Sequence, residues 1–561
     1  MIPLVFLTGC GPVLIVTTVL LLDSSGNEDC NVSGQPVQVT FQGTISYEDR
    51  PEDPLIQGTT LSPVRRARVE VLQVNCGETV IATGETGVDG QYLITCTTPS
   101  GSELRISVLA ESSDPDVPVS VRTGAGEKLL YSYESAKYPL TEDTVQGYSL
   151  NLDVPLDCEH QTSGAFNLLD SIRIGFSTIS GAFSPPHRAL TVLWALGSPD
   201  GTYFSTTAAD LDGDGQGDDP FIQVRGGTTA KGCHDTDQFD GSLVLHEFGH
   251  YVAYYHSQDD SPGGPHGIAE QVDPRLAWSE GWSDFFCTMA RNDPKIYDTF
   301  EDIRECSWPC TYFSYDLSTN DGSCASTACC QGIGSEDAVG SFLWDLYDPE
   351  SPPSDQVQAS REDILLALAA LKGSGARFVY VGDYIPRVES ILPSKAAGIQ
   401  ALADAQGLLE GDGSPTPFPQ AFDSLVQTGN AVQASASGNV NGCDSLACKM
   451  FVENFIGSSE FYELQVPGSA GQGGTVTADL SISSLDASCS SALELRIFNE
   501  SQTFYYSSAG QQGSSRQIQF SFDSQFQRGS YLLFEVAGDI PIRAGSSHGE
   551  KGDFILEVNV R

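Results

Sequence analysis

Apolar and polar positions change period several times along this chain, and each change marks a stretch of different structure. From Val37 to about His160 the runs are short and alternate, as in Val39-Thr40-Phe41, Arg68-Val69-Glu70-Val71-Leu72, Tyr92-Leu93-Ile94-Thr95 and Leu104-Arg105-Ile106-Ser107-Val108. A two-residue period sends successive side chains to opposite faces, so these runs predict strands, and the turn residues between them predict a β-sandwich. Beyond residue 160 the period lengthens. Phe166 to Ile179 reads as a helix, while Leu190 to Leu196 and Phe221 to Arg225 read as strands, the pair of which could form a sheet edge for a peptide to join as an added strand.

Past Asp240 the spacing is helical. Leu243, Val244, Leu245, Phe248, Val252 and Tyr255 recur at helical spacing, behind Asp240 and Ser242, either of which can cap a helix start. Ala277 to Phe286 predicts a second, largely buried helix, with Trp278 and Trp282, like Trp344 further on, expected in the core. Helical faces return at Asp337 to Tyr347, Ile364 to Leu371, Gly382 to Ile391 and Ala396 to Ala405, and the Gly411 to Pro419 run reads as a loop or linker. From about Ala436 the alternation resumes, as in Glu460 to Val466, Tyr531 to Val536 and Phe554 to Val558, which predicts a second β-sandwich.

The chemistry sits on the first two helices. His246-Glu247-Phe248-Gly249-His250 has the H-E-x-x-H spacing. Residues four apart share a helix face, so two neutral imidazoles reach one Zn2+ through bonds of about 2.0 to 2.1 Å, with the Glu between them leaning toward the open position. A catalytic site needs a third ligand, and Glu280 on the second helix is the candidate, with Asp284 one turn beyond it. Ligand histidines pass their other N–H to a carboxylate, which fixes the tautomer, so Asp284 is expected behind His246 or His250, the choice staying open.

These residues resemble the gluzincin metallopeptidases, fungalysin-like enzymes more than thermolysin itself. Three motifs carry the resemblance: Phe239-Asp240-Gly241 leading into Leu243 to His250, Ser279-Glu280-Gly281-Trp282-Ser283-Asp284, and Ala338 to Tyr347. It implies His246, His250 and Glu280 as zinc ligands, Glu247 as general base and Asp284 as the carboxylate behind the ligands. The implied fold is multidomain, a central α+β zincin domain with a mainly helical lower lobe, flanked by two all-β sandwiches. The expected boundaries are a leader and linker over 1–36, a sandwich over 37–160, the peptidase domain over 161–435 and a second sandwich over 436–561. Gly43-Thr44-Ile45, Ala67 to Val71 and Thr86 to Tyr92 resemble the carboxypeptidase regulatory-like domain, and the last domain resembles the pre-peptidase-type sandwich of secreted bacterial peptidases.

One departure bears on activity. Enzymes of this group place a histidine ahead of the third motif to steady the oxyanion, and this chain has none between His266 and His548; Asp337 stands there. A carboxylate cannot donate unless protonated, so the role passes to another donor, with Tyr347, Tyr312 and His256 as candidates.

Charge and cysteine content narrow the setting. A formal charge of -46 and a pI near 4.2 argue against nucleic acid and anionic membrane surfaces as partners. Residues 1 to 22 carry no charge and read as an export or anchoring segment, and Leu7-Thr8-Gly9-Cys10 looks like a bacterial lipobox whose cysteine would be acylated. Of fifteen cysteines, fourteen would then remain to pair as disulfides in an oxidising compartment, including the crowded Cys306, Cys310, Cys324, Cys329 and Cys330 and the close pair Cys443 and Cys448. Asp210, Asp212, Asp214, Gln216 and Asp218 match the first half of an EF-hand-type loop and offer oxygen to Ca2+, although the twelfth place is Phe221 and not Glu.

The resulting expectation is an exported zinc-dependent endopeptidase, lipid-anchored at the bacterial surface or secreted, monomeric, acting on protein or peptide through a water activated by Glu247. Two other readings use the same residues: an aminopeptidase, and a surface or adhesion protein built around an inactive zincin.

Overall fold

A computed structural model describes residues 32 and 34–560, apart from 52, 57, 76, 125–128, 141–145, 158, 207–219, 265, 269–270, 306, 320–330, 349–356, 376, 429–430, 442–459, 467–473, 486–492, 500–503, 511–514, 522–529 and 539–550. The leader with Cys10, the acidic loop of Asp210, Asp212, Asp214, Gln216 and Asp218, and Cys306, Cys324, Cys329, Cys330, Cys443 and Cys448 lie outside the described residues. Among the described residues no helix is long and apolar enough to cross a membrane. The chain divides into two compact units, Met1–Phe248 with Tyr297–Ser314, and Gly249–Ile296 with Tyr315–Arg561.

The first unit is built on strands. Pro36–Asp49 pairs antiparallel with Gln91–Pro99 and Thr60–Pro63, and parallel with Gln146–Ser149 and Leu152–Val154. Gln91–Pro99 alternates exposed and buried residues along its length, as a strand with one wet face must. A second sheet runs in the order Tyr203–Ser205, Phe221–Val224, Leu190–Trp194, Val119–Thr123, Glu103–Ser112, Ala67–Gln73, Thr79–Glu85. This sheet passes across the boundary drawn at residue 160, because Val119–Thr123 pairs parallel with Leu190–Trp194. Phe221–Val224 is buried throughout and takes an interior place; the edge belongs to Tyr203–Ser205, which pairs antiparallel with it. Continuous apolar runs suit strands covered on both faces, and the edge falls to a short, half-wet segment.

Helix α1 (Thr162–Ile179) buries Phe166, Leu169, Ile172 and Phe176. A hairpin follows later in the chain, Lys295–Asp302 with Ser307–Asp316, and Lys295–Asp302 also pairs antiparallel with His234–Asp235. Cys233 and Cys310 form a disulfide across this region, their Cα atoms 6.0 Å apart. Cys96 and Cys287 are buried thiols, which corrects the expectation that fourteen cysteines pair.

Helix α2 (Gly241–His256) is shared, since the division falls between Phe248 and Gly249. The second unit continues with α3 (Pro274–Arg291), α4 (Glu336–Tyr347), α5 (Arg361–Ala369), α6 (Val381–Ile391) and α7 (Ala396–Ala405). Their starts follow capping chemistry: Asp273 accepts from Arg275 N with Pro274 at the first helical place, Ser335 accepts from Ala338 N, and Ser360 with Asp363 forms a capping box. Trp278, Trp282 and Trp344 are buried. The unit ends in two antiparallel sheets whose inner faces share one core, with Val432, Val476, Phe554 and Leu556 from one and Leu464, Leu493, Leu532 and Phe534 from the other. This sandwich starts at Ser424–Thr428, ahead of residue 436, and that first strand is exposed along its length, so no alternation marks it.

Candidate metal centre

The first turn of α2 is tied to the strand beside it. Ser242 Oγ donates to Tyr297 O at 2.9 Å and accepts from Tyr297 N at 3.1 Å, while the Asp240 carboxylate accepts from the N and Oγ1 of Thr299, both at 2.7 Å. One turn on, Phe248 packs edge-on against Phe176, and a Cβ on Gly175 would stand 2.6 Å from its ring. These contacts fix the rotation of the helix and hence the direction of its polar face.

Glycines bring α3 to that face. A Cβ on Gly249 would lie 2.8 Å from Ser283 Cα, and Trp282 Nε1 donates to Gly249 O at 3.1 Å. On the far side of α3, a Cβ on Gly281 would lie 2.6 Å from Glu336 O. So α3 is held closely at the level of Glu280, between α2 and α4.

Donor atoms of His246, His250 and Glu280 consequently lie within 4.8 Å of one another. Two ligands of a tetrahedral zinc ion with bonds of about 2.0 to 2.1 Å stand about 3.3 Å apart, and His250 Nε2 and Glu280 Oε2 are 3.3 Å apart. Two nitrogens and a carboxylate oxygen are also the donor set of a catalytic zinc site with one position open. The residues therefore fit the ion.

His250 is oriented by a chain of hydrogen bonds. Its Nδ1 meets Ser279 Oγ at 3.1 Å, and Ser279 Oγ donates to Asp259 Oδ2 at 3.0 Å. With Ser279 donating onward, Nδ1 carries the proton and Nε2 keeps its lone pair for a metal. Burial pushes the Asp259 carboxyl up, and the His250 ring pulls it back down. The carboxylate behind His250 is thus Asp259 acting through Ser279, neither of which was assigned a role from sequence. Asp284, expected behind His246 or His250, is buried on α3 with the Tyr315 phenol against it; burial and then Asp284 push that phenol well above its usual range.

Glu247 is 9% exposed, and its Oε2 accepts from the backbone N of Phe204 at 2.7 Å, which joins it to the edge strand Tyr203–Ser205. His266, in the loop before α3, sets Nε2 3.2 Å from Glu280 Oε2 and 3.9 Å from Glu336 Oε2, with Nδ1 on Gly264 O at 3.0 Å. Burial opposes charge on this ring, but Glu280 and Glu336 outweigh it and raise its pKa to about 10.

Of the expected oxyanion donors, Tyr347 is engaged elsewhere. The Tyr347 hydroxyl donates to Asn292 Oδ1 at 2.7 Å and accepts from Arg361 Nε at 3.3 Å. Asn292 caps the C-terminal end of α3, twelve residues and so about 18 Å along the axis from Glu280. Tyr347 is therefore corrected to a packing residue. His256 lies six residues beyond His250, about 9 Å further along α2, and Tyr312 is exposed on Ser307–Asp316. Asp337 is fully buried in the first turn of α4, where its neighbour Glu336 is the residue facing His266.

Comparison with known proteins bears on the same stretch. Residues 184–363 match the mycolysin C-terminal domain, a span that includes all three motifs, and this supports a fungalysin-like, secreted protease at a coarse level. No curated protein matches. Among solved structures the chain is similar to a Bacillus endospore appendage protein of disulfide-linked pili, at 10% identity over 24% of this chain and 96% of that one, with a TM-score of 0.13. A 9R-lipoxygenase from Cyanothece is 14% identical over 26% of this chain and 24% of that one, with a TM-score of 0.13. A xylan-binding domain from Paenibacillus barcinonensis is 13% identical over 26% of this chain and 89% of that one, with a TM-score of 0.14. Similarities this slight carry no argument about the chain, and the match to the mycolysin C-terminal domain is the one that bears on function.

Proposed function

We propose that the chain is an exported zinc-dependent endopeptidase of gluzincin type. The observation that carries this reading is the convergence of the His246, His250 and Glu280 donors, with Glu247 buried between the two histidines on α2. Zinc, when bound, supplies a Lewis acid that acidifies water and polarises a carbonyl. Glu247, held by the Phe204 N–H, accepts the proton of the attacking water and delivers it to the leaving amine. An extended peptide lying along the edge strand Tyr203–Ser205 has its scissile bond set near Glu247. His266 sets a ring nitrogen beside Glu280 and takes the oxyanion role sought in Tyr347. The Cys233–Cys310 bridge suits an oxidising compartment. Cys10 is the lipid attachment point in this reading, and Asp210, Asp212, Asp214, Gln216 and Asp218 a calcium loop.

The experiment compares wild type with Glu247→Gln on internally quenched peptides blocked at both ends, with zinc content measured in parallel. Wild type cleaves the blocked peptides, and the variant keeps its zinc while kcat/KM falls by at least about 10²- to 10⁴-fold. Equal rates would refute the mechanism. Cleavage confined to peptides with a free amine would favour an aminopeptidase, and zinc without cleavage an inactive zincin.

A further inference from the structure

A second set of donors converges within the first unit. One carboxylate oxygen each from Asp235, Asp237 and Asp298 lies within 4.8 Å of the other two. Asp235 ends the short strand His234–Asp235, Asp298 lies on Lys295–Asp302 beside it, and Asp237 sits in the turn that leads into α2. Asp237 is 3% exposed; its Oδ2 accepts from the Thr202 hydroxyl, and its Oδ1 has no hydrogen-bond partner among the described residues. The Oδ1 atoms of Asp235 and Asp298 are likewise buried without a partner there. Arg225 faces the cluster and holds Asp235 Oδ2.

Three carboxylates against one guanidinium leave about two negative charges where water has little access, and charges so placed need protons or a cation. The donors are all oxygen. That excludes the soft-ligand metals and suits Ca2+, which takes six to eight oxygens and completes its shell with water. Asp235, with its side chain 23% exposed, leaves a side open to that water.

We propose that Asp235, Asp237 and Asp298 form a calcium site that fastens the strand Lys295–Asp302 to the segment entering α2. The ion also reaches the edge strand. Thr202, which donates to Asp237, accepts from Arg225 N at 3.0 Å and directly precedes Tyr203–Ser205, whose Phe204 N–H holds Glu247. Calcium at this site therefore fixes both the start of the helix and the strand that positions its glutamate.

The test uses the full chain, zinc-loaded and dialysed into calcium-free buffer, then titrated with CaCl2 and, separately, MgCl2 by calorimetry and thermal unfolding. Asp298→Asn is measured alongside, with Asp235→Asn carrying the test if the first variant does not fold. Wild type rises on the order of 5 °C in unfolding midpoint at saturating Ca2+. Asp298→Asn binds one Ca2+ fewer, or binds it at least about tenfold more weakly, and loses that rise. In calcium-free buffer this variant unfolds no lower than wild type, because one of the repelling charges is gone. A variant that keeps the wild-type stoichiometry and shift, or a wild-type midpoint that Ca2+ does not move, would overturn the site. Stronger binding of Mg2+ than of Ca2+ would overturn its assignment to calcium. Neither readout requires peptide hydrolysis, so failure of the peptidase reading leaves the result interpretable.

Discussion

His250 shows how one side chain is committed to a metal before any ion arrives. Its Nδ1 proton goes to Ser279 and from there to Asp259, which leaves Nε2 3.3 Å from the Glu280 oxygen. Ser279→Ala breaks this chain and should weaken zinc binding about 10- to 100-fold, read by competition with a chromophoric chelator; an unchanged affinity would mean the ring is oriented by packing alone. His266→Gln should keep the zinc content and KM while lowering kcat about 10²- to 10³-fold, and a fall in zinc content instead would assign His266 to holding Glu280. The motif residues were legible in the sequence because helical spacing alone puts His246 and His250 on one face. Asp259 and His266 were not. Both lie in the aperiodic segment between α2 and α3, and only the folded path of that segment brings them to Glu280 and Ser279.

At the scale of elements, the site depends on how closely α2 and α3 approach. Gly249 and Gly281 permit that approach, and Gly249→Ala would drive a methyl against the Ser283 backbone, where nothing can swing aside. The helices should separate by a few tenths of an ångström, with zinc affinity and unfolding midpoint falling together; a variant as tight and stable as wild type would show that the packing yields. The start of α3 is held by Asp273, which accepts from Arg275 N and Nε at 2.9 Å and from its Nη2 at 2.5 Å around a fully buried guanidinium. Asp273→Ala strands that charge and should cost about 3 to 5 kcal/mol, measured by denaturant unfolding. The helices were legible from their apolar period and their caps. The hairpin Lys295–Asp302 with Ser307–Asp316 was not: its first strand buries Thr299 and Glu301 beside Ile296 and Tyr297, and its second is mostly exposed, so neither gives a clean alternation.

Over the whole molecule, charge and topology set the conditions under which these parts hold together. The chain carries a formal charge of -46 at pH 7, and some of that charge is confined at Asp235, Asp237 and Asp298. A carboxyl with a pKa of about 7 when folded, against roughly 4 when unfolded, keeps its proton longer in the native state. Between those values the folded chain binds more protons, so stability falls as pH rises. Calcium-free protein should therefore resist urea better at pH 5 than at pH 8, and Asp298→Asn should flatten that difference; equal slopes in the two proteins would contradict the assignment. Composition marked the change from strands to helices and back, but it could not show that the sheet of the first unit runs across residue 160. Parallel pairing between Val119–Thr123 and Leu190–Trp194 is a long-range property that no local pattern encodes. The central claim, that His246, His250 and Glu280 gather one zinc ion, is tested most directly by a crystal structure of the zinc-loaded protein with an anomalous difference map at the zinc edge. A single peak about 2 Å from an imidazole nitrogen of each histidine and from a Glu280 oxygen is the predicted result. A peak that leaves out Glu280, or no peak at these residues, would contradict it.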